Sequence, residues 1–502
     1  VAHALSLAAL YGPGPWPGDG YPLPDEKPRE HGRFVLPSVV LDGINTHHRR
    51  AAAQPVTELA DGVVAGMDDP ARLLELFAGL SPVRIADDLV RELRSRDLPR
   101  EKLRRAARFV TENATRREVA KLGIVLLGIC GDERDRELLQ LLGTLDEFAL
   151  FAVVALLRTQ TDGQRAVFEL ARQLVGWGRI HAVERLAGCS DPDIRAWLLR
   201  SGFRNDVMDE YLAYIAATTG GLYEALLDDT VDDELLDGAA GILRALAFGG
   251  PAEDMRDYPD AVAAMHRFAE LVDRADPAIV RLDAALTIEK WLSNADFDWP
   301  DGEPGRLRVR YAALLFSGYR IPRRRWRELV TGVLSGNSAV TGEGHIFETA
   351  LSCAGRLGID ALPDAIARLR IEPDNAYVWQ WAMRHAGADR IGGVVELAEQ
   401  LLPLAELAHG PSESLGIGRE FAADRVLEIV VGRLRVHPGI GAGLLPVALA
   451  NRVIRCRRAA LATLAAWPPA VRPAASGEWV AAAAEWEIDP ELRREMLAFL
   501  AG

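Results

Sequence analysis

The chain has 502 residues, 49% of them apolar and 26% charged, and carries a net charge of −14. That balance belongs to a folded chain and disfavours wholesale binding to nucleic acid or to an anionic membrane. The longest apolar runs, 148–157 and 438–450, are shorter than the roughly 20 residues a membrane-spanning helix requires.

Residues 1–55 are rich in Pro, Gly and charge, as in Gly12-Pro-Gly-Pro-Trp-Pro-Gly18, so an irregular segment lying over the first repeats is expected here. The apolar stretch Ala2–Leu10 lacks a basic leader, so export is not expected. Adjacent His47 and His48 would point apart on a helix or strand, which favours a solvated loop over a metal site. From Thr57 onward the spacing is helical: Val83, Ile85, Leu89, Val90 and Leu93 share a face, and Leu103, Ala106, Ala107 and Val110 repeat it after Pro99. Lys121–Gly143 reads as two short amphipathic helices around the acidic turn Gly131-Asp-Glu-Arg-Asp135. Such a hairpin cannot bury its apolar face alone and must stack on neighbours like itself.

One start signal recurs. Asp191-Pro192, Asp276-Pro277 and Asp489-Pro490 each place a capping Asp before a Pro at the first helical position, followed by an apolar residue and an Arg. These hairpins and their boundaries resemble the HEAT-like repeat family. The resemblance implies an all-α fold, an α-solenoid of stacked antiparallel helical hairpins. Breaks such as Trp299-Pro-Asp-Gly-Glu-Pro-Gly305 suggest the division: 1–55 irregular, 56–298 an N-terminal helical array, 306–502 a C-terminal one.

Cationic charge is almost all arginine, with lysine only at Lys27, Lys102, Lys121 and Lys290, a usage that suggests a GC-rich bacterial genome. None of the four lysines follows a glycine, so no phosphate-binding loop is present. Gly439-Ile-Gly-Ala-Gly443 lacks the third fingerprint glycine and any β-α-β rhythm, and reads as a helix-connecting loop rather than a dinucleotide site. There is neither a Gly-x-Ser-x-Gly elbow nor a His-Glu-x-x-His pair. Cys130, Cys189, Cys353 and Cys456 stand far apart in apolar surroundings, the pattern of buried thiols in a reduced cytoplasmic protein rather than of zinc ligands. These patterns name no catalytic residue, and no cofactor or metal site is expected.

Two surfaces are candidates for binding. The first gathers Trp177, Arg179, His181, Glu184 and Arg185 on one helix with Arg204 and Asn205, and reads either as a polar site or as a salt-bridged seam between repeats. The second is the arginine-rich stretch 306–327. It contains Arg320, Arg323, Arg324, Arg325 and Arg327 with Tyr311, Tyr319 and Trp326 interleaved, a pattern suited to phosphate contact and base stacking. The run Glu224–Asp260 is strongly acidic by contrast. Trp379 and Trp381 would lie about 200° apart on a helix, so at most one is expected in the core there.

Leu141–Ala155 and Gly178–Leu186 also look like a group of bacterial proteins labelled limonene hydroxylase. That resemblance implies monoterpene oxidation with a nicotinamide-linked alcohol dehydrogenase activity. A further likeness is to helical-repeat DNA glycosylases, which would use the arginine stretch as a groove, although no Trp-x-x-x-Asp segment is present. The function expected from the residues is a non-catalytic intracellular scaffold for a protein partner, with nucleic acid through 306–327 as a lesser alternative and no membrane association.

Overall fold

The computed structural model describes residues 1–17, 21–26, 37–48, 56–294, 299, 302–318, 320–336 and 345–501, with side chains at all of these except 45–48. The fold is all-α, built of stacked helical hairpins in the manner of a helical solenoid. The described strands are a single short antiparallel pair, β1 Phe316–Ser317 and β2 Ile321–Pro322. No helix among the described residues is long and apolar enough to cross a membrane. The chain divides into two compact units, one of residues 1–27, 36–276 and 287–314, the other of 28–35, 277–286 and 315–502.

In the first unit, α1 (Ala2–Tyr11) and α2 (Ser38–His48) precede the repeats. The irregular segment expected over 1–55 therefore contains two helices. Their signal was weak because each buries little: α1 covers Ala4 and Leu7, and α2 is fully buried only at Gly43 among its described side chains.

The repeats begin with α3 (Thr57–Gly66), α4 (Ala71–Leu76), α5 (Pro82–Arg94), α6 (Arg100–Asn113), α7 (Arg117–Cys130), α8 (Arg136–Gly143), α9 (Asp146–Thr159), α10 (Gly163–Ala171), α11 (Gly176–Glu184) and α12 (Pro192–Trp197). Helices α3, α5, α7, α9 and α11 lie side by side in one layer, and α6, α8 and α10 back onto it. The hairpin expected over 121–143 is α7 and α8 joined by the acidic turn, where Asp132 and Asp135 form a reciprocal capping box. The unit continues through α13 (Ala213–Gly220), α14 (Leu222–Leu227), α15 (Asp233–Phe248) and α16 (Ala261–Arg274), and includes the part of α17 (Ile279–Asn294) from Thr287 onward and α18 (Glu303–Leu315) up to Leu314.

The second unit holds α19 (Arg324–Leu334), α20 (Ile346–Leu357), α21 (Leu362–Ile371), α22 (Ala376–His385), α23 (Gly387–Leu401) and α24 (Leu404–Leu407). It ends with α25 (Ala422–Arg433), α26 (Leu444–Leu449), α27 (Ile454–Ala466), α28 (Ser476–Trp486) and α29 (Pro490–Ala501). Trp379 and Trp381 are both buried, contrary to the expectation of at most one. Helix α22 is packed between α20 and α21 on one side and α25 on the other, so opposite faces are both covered. The Trp379 indole donates to the Pro373 carbonyl at 2.9 Å, and Trp381 stacks on His385 with centroids 4.1 Å apart. The glycines around Gly441 form the turn that leads into α26, as the loop reading required.

Of the three Asp-Pro signals, Asp191 accepts from the Asp193 and Ile194 amides at the start of α12, and Asp489 accepts from the Leu492 amide at the start of α29. Helix α17 instead starts at Ile279, two residues beyond Pro277.

The α27–α29 region contains a fully buried ion pair. Arg457 Nε and Nη2 donate to Glu487 at 2.7 and 2.8 Å, and its Nη1 donates to the Asn451 and Arg452 carbonyls. Removing only the arginine strands a buried carboxylate. Arg457→Ala should therefore destabilise this region by about 3–5 kcal/mol, whereas Arg457→Met with Glu487→Leu should recover most of the loss. Hydrogen exchange in α27–α29 is the appropriate measurement, because a long repeat chain need not unfold in one step.

Candidate functional site

The layer of α5, α7, α9 and α11 carries a dense polar cluster, to which α2 contributes Ser38 and Asp42. Lys121 stands within the apolar run of α7, where burial of its ammonium requires partners. They are Asp42 of α2 and Glu147 in the first turn of α9, whose oxygens accept from Nζ at 2.7 and 2.5 Å. One turn earlier on α7, Arg117 donates to Asp25 at 3.0 Å and to Glu147 at 3.3 Å, and the Ser38 hydroxyl donates to Glu147 at 2.7 Å. Burial raises the Asp42 carboxyl above the usual carboxylate range despite Lys121. Burial also pushes Asp25 upward, but its hydrogen bonds from Arg117 prevail and hold it below its ordinary value. Gly43 lets the α2 backbone rest directly on the Trp177 ring, which a Cβ would strike.

Beneath α2, the face around α11 expected to be a binding surface is largely interior. Trp177, His181 and Asn205 are buried. The Trp177 ring packs against Tyr211 and His181, with centroids at 5.2 and 6.2 Å. Asn205 organises the following turn, accepting from the Val207 and Met208 amides and donating to the Phe203 and Met208 carbonyls. Arg179 lies over the Trp197 ring and donates to the Leu174 carbonyl at 2.8 Å, and burial lowers its pKa to about 10. Arg204 lies over Phe203. Arg185 donates to the His181 carbonyl at 2.9 Å and to Glu184 at 3.2 Å, and burial lowers its pKa as well. His181 Nδ1 is 3.7 Å from Glu184. These contacts tie α11 to its neighbours, leaving Arg179, Glu184, Arg185 and Arg204 as partly exposed members.

Beside α2 on the same layer, a cavity of about 150 Å³ opens between α5, α7 and α9. Val90, Ile124, Val125, Phe151 and Val154 supply apolar lining, and Asp87, Arg158 and Arg185 supply charge. A wider, open depression of about 510 Å³ lies between α21 and α23 in the second unit, lined by Leu362, Ile366, Arg370 and Arg390 among others.

The arginine-rich stretch is not a stacking platform. Tyr311 is buried, its hydroxyl donating to the Met265 carbonyl at 3.1 Å, and Trp326 is buried under Arg325, whose guanidinium lies 4.3 Å from the ring centroid. Tyr319 lies outside the described residues. Arg306 pairs with Glu303, Arg308 donates to the Leu292 carbonyl and Arg310 donates to Glu270. Arg320 sits at φ 59° in the β1–β2 turn, and the Arg323 amide donates to the Leu315 carbonyl. Arg324 pairs with Glu328 at 2.6 Å, and Arg324 and Arg327 are exposed. The His47 and His48 side chains lie outside the described set, within which no three potential ligands cluster as a metal site would require.

Sequence reasoning did not find Lys121, Asp42, Glu147 and Arg117. The one available signal was a lysine inside an apolar helix in a chain with only four lysines.

No protein-family model and no curated protein matches the chain. The chain is similar to a crystallised engineered protein from a structural genomics consortium, at 15% identity over 79% of this chain and 98% of that one, with a TM-score of 0.26. It is also similar to a homology model of the full-length AP-3 complex in an intermediate open conformation, at 10% identity over 92% of each chain, with a TM-score of 0.30. Scores this low carry no functional argument. The resemblance to proteins labelled limonene hydroxylase finds no support in these comparisons.

Asp146, at the start of α9, accepts from the Gly178 amide at 2.5 Å, and burial raises its pKa to about 6. Because the folded chain holds that proton more tightly than the unfolded one, stability falls as pH rises from about 4 to 6 and stays reduced above. Asp146→Asn keeps an acceptor for the Gly178 amide without the buried charge. It should stabilise the unit by roughly 1–3 kcal/mol at pH 7.5, with the gap narrowing toward pH 5 in melts of both proteins.

Proposed function

We propose that the chain is a non-catalytic scaffold that binds a protein partner in a reducing cytoplasm. The observation that carries this reading is α2 itself. The α5–α7–α9–α11 layer receives a helix from outside the repeats, gripping Asp42 with Lys121 and seating Gly43 on Trp177. A layer that holds one helix this way has the chemistry to hold another, the helix-in-groove mode of recognition. The cytoplasmic element rests on four buried cysteines, which suit a reducing compartment. Arg320, Arg323, Arg324, Arg325 and Arg327 form a second, electrostatic edge of the proposal.

The test is affinity capture of the full chain from nuclease-treated host lysate, followed by cross-linking and mass spectrometry. A stoichiometric protein cross-linked to α5, α7 or α9 is the expected outcome. Recovery of nothing stoichiometric, or loss of the partner on nuclease treatment, would reject the reading. Replacing Arg323, Arg324 and Arg325 together by Ala should weaken capture, and more so at low salt than at high salt.

A further inference from the structure

We propose that the cavity between α5, α7 and α9 is the anchor pocket for an acidic helical segment of the partner, taking one large apolar side chain while flanking carboxylates pair with Arg158 and Arg185. This deepens the scaffold reading and rests on it.

Size comes first. About 150 Å³ is room for a single benzene-sized or leucine-sized group, well below the roughly 300–1,000 Å³ of sites that hold cofactors and drug-sized ligands. One buried apolar anchor ringed by polar contacts is how a peptide segment is held. The lining agrees, because Val90, Ile124, Val125, Phe151 and Val154 offer an apolar wall with few polar groups to satisfy.

Charge selects the occupant. Two of the three charged lining residues are arginines. Arg185 already pairs with Glu184 and feels Asp87, but Arg158 is exposed and its guanidinium works against that of Arg185. Among the described residues Arg158 makes no ion pair or hydrogen bond. A carboxylate arriving beside the anchor would relieve the repulsion between the two guanidinia. Asp87 on the α5 rim leaves room for at most one cation on that side of the segment.

The third argument is continuity with an interface already formed. Lys121, which grips Asp42 of α2, lies 5.5 Å over the ring of Phe151, and Phe151 lines the pocket. The cis helix and the pocket therefore adjoin through one side chain on one layer. At one end the single carboxylate of α2, Asp42, is seated on a cation; at the other a cation and an apolar cavity stand open.

The probe is a phage-displayed library of 15-residue peptides panned against the full chain, with affinities of the selected peptides measured for wild type, Arg158→Glu and Val154→Trp. The expected result is a family with one Leu or Phe flanked by Asp or Glu three or four positions away. Arg158→Glu should weaken it by at least about tenfold, and so should filling the pocket with Val154→Trp, with affinity falling as salt rises. Arg158 is exposed, so its variant should fold normally even where Val154→Trp does not. Selection of no peptide, of basic peptides, or of peptides indifferent to Arg158→Glu would overturn the proposal. So would a free carboxylate such as phenylacetate binding as tightly as the peptides, which would mark a small-molecule site. A stoichiometric cellular partner whose capture ignores Arg158→Glu would sink the pocket while leaving the scaffold reading in place.

Discussion

Each unit depends on arginines that reach from one hairpin to an acid about one repeat away. Arg104 donates to Asp135 at 2.7 Å, a partner 31 residues on, and Arg108 shares the same buried carboxylate. Arg136 reaches Asp162, Arg165 reaches Asp193 and Arg200 reaches Asp232, across 26, 28 and 32 residues. In the other unit Arg390 reaches Asp360, Arg452 reaches Asp424 and Arg457 reaches Glu487, across 30, 28 and 30 residues. Where the planar fork of arginine makes two bonds to one carboxylate, as in Arg104–Asp135, Arg200–Asp232 and Arg457–Glu487, the contact fixes the angle between hairpins as well as their distance. Exposed members add little, whereas the buried ones, Arg104–Asp135 and Arg457–Glu487, become costly once one side is missing. The arginine bias of the composition thus has a structural use.

That same arrangement explains what the sequence could and could not reveal. Local features were legible: the α7–α8 hairpin, the capping roles of Asp191 and Asp489, and the burial of all four cysteines follow from spacing and residue type. Nothing local announced α2, because its attachment is made by residues 79 positions away, Asp42 to Lys121. Helical periodicity identifies which side chains share a face and not what covers that face. Trp177, His181 and Asn205 were grouped as members of one candidate surface, while their burial depended on α2 and on Tyr211, which periodicity does not see. Trp379 and Trp381 show the same limit, since α22 is sandwiched and both of its faces are core.

The polar cluster under α2 is an unusual solution for a chain of net charge −14. Four carboxylates, Asp25, Glu26, Asp42 and Glu147, converge on Lys121 and Arg117, so the excess of acid becomes an adhesive wherever a cation is embedded in the layer. Ion pairs with little water around them are screened weakly by salt, so this attachment differs in kind from the exposed arginine pairs of α19. Directionality follows from the first-turn position of Glu147, where a carboxylate also complements the helix terminus.

The four thiols have a consequence of their own. Burial raises the Cys130 thiol to about 12 and shifts Cys456 upward as well, so almost no thiolate exists at neutral pH, and thiolate is the form that peroxides attack. All four sulfurs are enclosed, so an oxidant reaches them only where the surrounding helices open. Oxidation of these thiols would then report the loosening of a hairpin rather than cause it.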